Sequence, residues 1–239
     1  MTGRFEGKVV LVAGGTGALG RAVALAFLNE SATVVVTWRR QDEFADLSAA
    51  AGERSSHLNG YQVDVTDPDA TSQLIATILA VRDRIDVLVN AVGGYAGGTP
   101  LWQITPDVFD RMLALNLRSG YALCRAVVPV MLKQGSGSIV NIASRAAFDH
   151  AAGAAAYVAS KAAAVAMIDS LAADLKGKGV RVNSIVPSIF DTEANRAAMP
   201  QAGFARWPRP DDIARVILFL SSDDARLIHG AAVPVYGDT

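Results

Sequence analysis

The chain contains a single cysteine, Cys124, which excludes an internal disulfide. Cys124 falls within a long periodic apolar segment, where we expect its thiol to be buried and unreactive. An excess of charge of either sign is also missing: 22 basic and 23 acidic residues give a formal net charge of -1. This balance argues against binding of nucleic acid or anionic lipid through an excess of positive charge, and favours a small molecule as the partner.

Long uninterrupted hydrophobic runs are absent as well. The stretch from Leu88 to Pro106 is broken by glycine and proline, so it fails the requirement of roughly 20 residues for a membrane-spanning helix. The N-terminus from Met1 to Lys8 is polar and charged, and the apolar run after it is too short for a signal-peptide core. No cluster with metal-ligand spacing is visible, and we predict no metal site. These absences predict a cytoplasmic protein without a membrane partner.

Hydrophobic residues, by contrast, make up 51% of the 239 positions, enough to bury a large core. No internal stretch resembles a linker, so we expect one domain over residues 1–239. Runs rich in Val, Ile and Leu predict strands at Val9–Ala13, Thr33–Thr37, Val87–Val89, Ser138–Ile142 and Arg181–Val186. Helical spacing predicts helices at Gly20–Asn29, Ala70–Arg82, Asp107–Lys133, Ala154–Lys176 and Asp211–Ser221. This alternation indicates an α/β fold with a parallel sheet.

The first strand runs directly into a glycine-rich turn and then into a helix. Glycines at this place permit a tight turn and let the backbone approach a diphosphate at the positive end of the helix. A plain strand-to-helix turn is the alternative. The order of strand, turn and helix favours dinucleotide binding by a single-domain, Rossmann-type doubly wound parallel sheet flanked by helices. We assign cofactor contacts here to Gly14, Gly15, Thr16, Gly17, Leu19 and Gly20.

The end of the second strand should meet the adenosine ribose of such a cofactor. It reads Trp38-Arg39-Arg40, without the acid that would bind the ribose hydroxyls of NAD. A guanidinium can pair with a 2′-phosphate, so Arg39 favours NADP(H), with NAD(H) as the other possibility. A solvated surface arginine pair is the alternative. Further along, Asp64-Val65 could hold the adenine edge, although Asp64 could equally belong to a turn and helix cap.

A serine, a tyrosine and a lysine form the candidate catalytic group. Ser144 follows a predicted strand, and Tyr157 and Lys161 are one helical turn apart on a predicted helix, where they share a face. At roughly 4 Å, an ammonium stabilises a phenolate by about 4 kcal/mol and lowers its pKa by up to about three units. Lys161 could thus bring Tyr157 into the range of a general acid. A chance pair on an exposed face is the alternative for these two residues alone.

From Gly7 to Gly237 the chain resembles the short-chain dehydrogenase/reductases. The segment Tyr157-Val158-Ala159-Ser160-Lys161, with Ser144 and Asn116, matches the family's catalytic tetrad in order and spacing. The resemblance implies that Tyr157 is the acid and that Ser144 polarises a carbonyl. It also implies that Lys161 lowers the tyrosine pKa and binds the nicotinamide ribose, and that Asn116 anchors a water for proton relay.

Other family motifs are present in altered form. The family's Asn-Asn-Ala-Gly appears as Asn90-Ala91-Val92-Gly93, its Pro-Gly appears as Pro187-Ser188, and Ala18 replaces a common glycine of the turn. The resemblance assigns further cofactor contacts to Asn90, Ala91, Gly93, Pro187, Ile189 and Thr192. The changes bear on loop geometry and leave the predicted fold intact.

A narrower resemblance is to dihydropteridine reductase, through Gly14–Gly20, Gly93–Gly98, Asp191–Arg196, Met199-Pro200 and Trp207. That enzyme typically lacks a hydroxyl at the place of Ser144 and carries an acid near Trp38. Both departures favour reduction of a ketone or 3-oxoacyl group with NADPH, and leave reduction of a quinonoid pteridine as the second interpretation. A third, of another class, is a non-catalytic sensor of NADP(H).

The substrate pocket is predicted from the loops that follow the strands. Its boundaries are Gly94-Tyr95, Arg145, Phe148, His150 and the segment Ile189 to Trp207. Arg145 could pair with an acidic substrate and His150 could bind a polar group, but surface positions are the alternative for both. The family implies a homo-oligomer, dimer or tetramer, and the apolar stretches Ile213–Leu220 and Ala231–Tyr236 could bury a subunit face.

Overall fold

The computed structural model describes residues 3–239, whose strands form one parallel seven-stranded sheet in the order β3-β2-β1-β4-β5-β6-β7. The winding reverses between β1 and β4, which opens a crevice at the carboxyl ends of these strands. The predicted doubly wound α/β fold is therefore confirmed. The strands are β1 (Val9–Ala13), β2 (Thr33–Trp38), β3 (Leu58–Gln62), β4 (Val87–Asn90), β5 (Gly137–Ile142), β6 (Val180–Pro187) and β7 (Ala232–Val235).

Helices cover both faces of the sheet. They are α1 (Ala18–Asn29), α2 (Gln41–Ala51), α3 (Pro68–Arg82), α4 (Pro106–Leu113), α5 (Ser119–Gln134), α6 (Ala155–Leu175), α7 (Glu193–Ala198) and α8 (Pro210–Ser221). Every residue of β1 is buried, and successive side chains of β1 enter different cores. Val10 and Val12 pack with α1 and α8 on one face, whereas Val9 and Leu11 pack with α3, α5 and α6 on the other.

The hydrophobic runs miss β3 and β7, which are the two edge strands of the sheet. Edge strands need less burial, and β3 has the sequence Leu-Asn-Gly-Tyr-Gln with only Leu58 buried. Gly60 is required within β3 because a Cβ there would lie 2.3 Å from the Phe44 ring of α2. Strand β7 takes up much of the stretch Ala231–Tyr236, which pairs with β6.

The prediction that α8 buries its apolar residues against another subunit is wrong for the main ones. Ile213, Ile217 and Leu220 are buried inside this chain, where α8 packs against α1. Helical periodicity alone does not distinguish a face that packs within the chain from one that packs against another subunit. Phe219, at 41% exposure, lies on the outer side of this helix.

The helix predicted over Asp107–Lys133 is interrupted. It consists of α4, a π-helical turn over Ala114–Arg118 and α5. Short π-helical segments widen a helix by one residue and often occur at functional sites. This turn carries Asn116, which is 3% exposed.

Helix α6 is long and apolar enough to cross a membrane when only length and composition are considered. The core helix of a soluble protein passes the same test, and α6 contributes Ile168, Ala172 and Leu175 to the core beside the sheet.

Candidate active site

A cavity of about 1020 Å³ lies at the carboxyl edge of the sheet, among the loops that follow β1, β4, β5 and β6. It brings together eleven of the predicted site residues: Gly17, Leu19, Gly20, Ala91, Gly93, Ser144, Tyr157, Lys161, Pro187, Ile189 and Thr192. The other predicted site residues lie outside its lining: Gly14, Gly15, Thr16, Trp38, Arg39, Arg40, Asp64, Val65, Asn90 and Asn116.

The glycine turn fits a diphosphate. Gly14 has φ +73°, and a Cβ on Gly20 would lie 2.1 Å from the Gly14 carbonyl oxygen, so both positions require glycine. At Gly17 the nearest atom to an added Cβ is 3.5 Å away, which leaves its backbone open toward the cavity. Helix α1 begins behind it with no side-chain cap and no acid in its first turn. Its N–H groups are therefore available to an anion.

Thr37, near the end of β2, holds the glycine turn in place. The Gly14 N–H donates to Thr37 Oγ1 at 2.9 Å, and the Gly15 N–H donates to the Thr37 carbonyl at 3.1 Å. Thr16 Oγ1 donates to Glu43 Oε2 at 2.9 Å. The Thr16 side chain therefore connects the turn to α2 and does not line the cavity.

Arg39 and Asp64 come from neighbouring strand ends and form a direct ion pair. Partial burial opposes ionisation of Asp64, but hydrogen bonds from Thr66 and the charge of Arg39 hold the pKa of Asp64 below its ordinary value. Arg40 turns instead toward α2 and pairs with Asp42. The Trp38 indole stacks on Phe44, with ring centroids 5.7 Å apart. Arg39 thus pairs with the loop after β3, whereas Arg40 also lies 3.7 Å from Glu43, the carboxylate that accepts from Thr16 of the glycine turn.

Asn90 has its side-chain groups occupied within the protein. Its Nδ2 donates to Asn141 Oδ1 at 3.2 Å, and its Oδ1 accepts from the Val92 N–H at 3.3 Å. Asn90 thus fixes the loop after β4, whereas its neighbours Ala91 and Gly93 line the cavity. A Cβ on Gly93 would lie 3.0 Å from Asn116 Oδ1 and 3.4 Å from Lys161 Nζ, so this loop passes close to both side chains.

Asn116 connects that loop to α6. Its Oδ1 accepts from the Gly94 N–H at 3.0 Å, and its Nδ2 donates to the Gly94 carbonyl at 3.0 Å and to Ser160 Oγ at 2.9 Å. Ser160 Oγ donates in turn to the Tyr157 carbonyl at 2.7 Å. Asn116 therefore holds the loop after β4 in register with the turn of α6 that carries Tyr157.

Tyr157 and Ser144 meet at the cavity wall. Burial raises the pKa of Tyr157 above its ordinary value, a hydrogen bond with Ser144 lowers it, and the neighbouring Tyr95 raises it. The net result is a raised pKa, which differs from the expected lowering by Lys161. The Lys161 ammonium donates to the Ile142 carbonyl at 2.9 Å. Lys161 is 5% exposed, and burial lowers its own pKa to about 8.

The predicted boundaries of the substrate pocket are confirmed in part. Gly94, Tyr95 and Arg145 line the cavity, together with Ile189, Phe190, Asn195, Ala198 and Met199. His150 and Phe148 are exposed and lie outside the lining, and Trp207 is buried elsewhere. The segment from Ile189 to Trp207 is braced by Arg196, which donates to both Asp191 oxygens at 2.5 and 2.6 Å. Thr192 caps α7 by accepting from the Asn195 N–H at 3.1 Å.

Asp149, Ala151 and Thr239 are among the lining residues that sequence reasoning missed. Asp149 has a local signal, because it lies one helical turn after Arg145, and Arg145 Nε donates to its Oδ2 at 2.7 Å. Thr239 has none, since Arg145 Nη1 reaches its carbonyl at 3.1 Å across 94 positions of sequence.

A dinucleotide-sized crevice at the strand reversal, with an open helix N-terminus and a tyrosine, serine and lysine at its far end, defines a nucleotide-dependent oxidoreductase. The family model for short chain dehydrogenases matches residues 8–203. The chain belongs to the short-chain dehydrogenase/reductase family.

Curated relatives in this family cover nearly the whole chain. A 3-oxoacyl-[acyl-carrier-protein] reductase of Thermotoga maritima is 31% identical over 98% of this chain and 98% of its own length. The D-threitol dehydrogenase of Mycolicibacterium smegmatis is 35% identical over 98% of this chain and 93% of its own.

Solved structures agree with the fold. ElxO with NADP bound has a TM-score of 0.90 at 26% identity, covering 96% of this chain and 97% of that one. NAD+-bound xylitol dehydrogenase also has a TM-score of 0.90 at 26% identity, covering 98% and 99%. Proteins of this shape therefore bind either dinucleotide.

Proposed function

We propose that this protein is an NADPH-dependent carbonyl reductase that converts a ketone or 3-oxoacyl substrate to an alcohol. The observation that carries the proposal is the convergence of Ser144, Tyr157 and Lys161 on the cavity that the glycine turn also lines. The 3-oxoacyl reductase among the curated relatives supports a carbonyl substrate. The nicotinamide, when bound, supplies the hydride.

The side chains divide the remaining work. Tyr157 donates the proton of its hydroxyl to the substrate oxygen, and Ser144, which lines the same cavity, donates its one hydroxyl hydrogen to that oxygen and holds the carbonyl. Lys161, charged at neutral pH with a pKa of about 8, stabilises the phenolate that remains and would hold the nicotinamide ribose. Asn116 keeps the loop after β4 aligned with Tyr157, and both N–H groups of its side-chain amide are used in doing so, which leaves neither for the water that the family resemblance assigns to it.

The glycine turn and both flanking loops would hold the dinucleotide. The N–H groups at the start of α1 would hold the diphosphate, and Arg39 would hold the 2′-phosphate. Arg39 now pairs with Asp64, but both side chains are well exposed, at 64% and 45%. Exposed ion pairs contribute only about 0.2 to 1 kcal/mol, so Arg39 can leave Asp64 for a doubly charged phosphate at small cost.

The second candidate function is reduction of a quinonoid pteridine. Parts of two of the segments that resemble dihydropteridine reductase, Gly93–Gly98 and Asp191–Arg196, line this same cavity. The Ser144 hydroxyl favours the ketone, because a quinonoid pteridine offers it no ordinary carbonyl. We also infer a cytoplasmic homo-oligomer, in keeping with the balanced charge of the chain and its family.

Replacement of the proposed acid tests the function. NADPH oxidation is measured with a panel of ketones, 3-oxoacyl thioesters, quinones and quinonoid pteridines, first with the wild type and then with Tyr157→Phe. We expect Tyr157→Phe to lose turnover by about 100-fold or more while NADPH binding is kept, since one positioned acid contributes about that much. Near wild-type rates in this variant would exclude Tyr157 as the acid. A wild type that binds NADPH and reduces no compound would point to the non-catalytic sensor.

A further inference from the structure

The charged side chains that line the cavity are few. Among residues 3–239 they are Arg145, Asp149 and Lys161. The Arg145 guanidinium donates to Asp149 and to the Thr239 carbonyl, and lies 5.2 Å from the centroid of the Tyr236 ring. Its charge is therefore matched by a carboxylate, a carbonyl and an aromatic face.

The Lys161 ammonium also has a partner within the protein. It is 5% exposed, donates to the Ile142 carbonyl, and lies beside Gly93, on the side of the cavity where the nicotinamide ribose would bind. Within the part of the chain that the structure describes, the cavity thus offers a substrate no cation that lacks a partner.

The mouth of the cavity is apolar instead. The Tyr95 ring packs edge-on against the Tyr157 ring, with centroids 5.0 Å apart and planes at 74°, yet Tyr95 is 67% exposed. Met199, at 41% exposure, lines the same cavity. A Cβ on Gly97 would lie 2.1 Å from the Tyr95 hydroxyl, so glycine at this position lets the ring fold over Tyr157. A large exposed aromatic surface next to a reacting group is suited to a flat apolar body.

We propose that the cavity takes an uncharged cyclic ketone whose ring packs on Tyr95, and that Asp149, together with the Thr239 carbonyl and the Tyr236 ring, reduces the attraction of Arg145 for acidic substrates. This inference rests on the proposed carbonyl reduction and names the substrate class of the same site. Tyr95 and Asp149 act on specificity and take no part in the proton or hydride transfer.

A matched pair of substrates tests the role of charge: a cyclohexanone that bears a carboxylate, and its methyl ester. We expect the wild type to reduce the ester with kcat/KM about fivefold higher or more, the effect of one partly exposed charge interaction. Asp149→Asn, which removes the carboxylate paired with Arg145, should raise the carboxylate-to-ester ratio by about fivefold. The control Asp212→Asn frees Arg215 on α8, outside the cavity, and should leave this ratio unchanged.

The aromatic wall is tested by comparing the cyclic ester with an open-chain ketone. Tyr95→Ala should lower the cyclic-to-open-chain ratio of kcat/KM by about fivefold, the worth of one aromatic contact, and Tyr95→Phe should restore it. An equal rate on carboxylate and ester in the wild type, or an unchanged ratio in Asp149→Asn or Tyr95→Ala, would overturn the inference. Absence of NADPH oxidation with every ketone would instead overturn the proposed function.

Discussion

Arg39 is the residue on which the proposed preference for NADPH rests. Its guanidinium follows the carboxyl end of β2 and pairs with Asp64, whereas the neighbouring Arg40 is turned toward Asp42 at the start of α2. A charge-assisted contact with the 2′-phosphate contributes about 1.5 to 3 kcal/mol.

Arg39→Asp is therefore expected to lower kcat/KM for NADPH by about 10- to 100-fold and to shift the preference toward NADH. Steady-state kinetics with both dinucleotides measure this. Arg215→Asp, a charge reversal at a residue 79% exposed on α8, is the control and should leave the ratio in place. An unchanged NADPH-to-NADH ratio in Arg39→Asp would remove Arg39 from the cofactor site.

Burial of the Lys161 ammonium should lower the free energy of unfolding of the protein. Its pKa is lowered from 10.5 to about 8 by burial, so between these values the unfolded chain binds more protons than the folded one. The free energy of unfolding should therefore rise with pH across that window, and the penalty of burying the ammonium is largest below it.

Lys161→Met should remove this penalty. We expect the variant to unfold with a free energy about 2 kcal/mol higher than the wild type at pH 7, and with a smaller difference at pH 10, while losing activity. Urea unfolding at both pH values measures it. A variant that is less stable than the wild type at pH 7 would show that the Ile142 contact outweighs desolvation of the ammonium.

At the scale of the elements, the open start of α1 is the feature that would admit the proposed diphosphate. Gly17 has φ -67°, which alanine adopts without strain, and an added Cβ would point toward the cavity with its nearest neighbour at 3.5 Å. Gly17→Ala should thus leave the melting temperature nearly unchanged and weaken NADPH binding by about tenfold or more, because the methyl group occupies the diphosphate's place. Gly203→Ala, in an open part of the chain, is the matched control. Full NADPH affinity in Gly17→Ala, measured by fluorescence titration, would contradict this.

How far the sequence predicts each element depends on how local its cause is. The Val-rich runs predict β1, β2, β4, β5 and β6 because these strands are buried on both faces. The π-helical turn at Asn116 cannot be predicted from spacing, since it depends on Gly94 and Ser160, 22 and 44 positions away. The raised pKa of Tyr157 likewise reflects burial by the whole fold, whereas helical spacing predicted that Lys161, on the same face, lowers this pKa.

At the scale of the whole molecule, the expected self-association has a candidate contact in two exposed apolar residues. Trp102 and Leu101, just before α4, are 83% and 61% exposed, an unusual environment for two adjacent large apolar residues. We expect light scattering after gel filtration to give the mass of two or four chains. Trp102→Glu should shift that mass toward one chain while the circular dichroism spectrum is preserved. An assembly unaffected by Trp102→Glu would place the subunit contact elsewhere, and a wild-type monomer would refute the expected oligomer.

The reversal of strand order between β1 and β4 places the glycine turn and Tyr157 in one crevice, and a crystal structure of the NADP+ complex tests this arrangement most directly. We predict that the diphosphate lies over Gly17 at the start of α1 and that the Tyr157 hydroxyl faces the reactive carbon of the nicotinamide. A complex in which that hydroxyl points away from the nicotinamide, or in which the diphosphate binds away from the glycine turn, would contradict the proposed reductase.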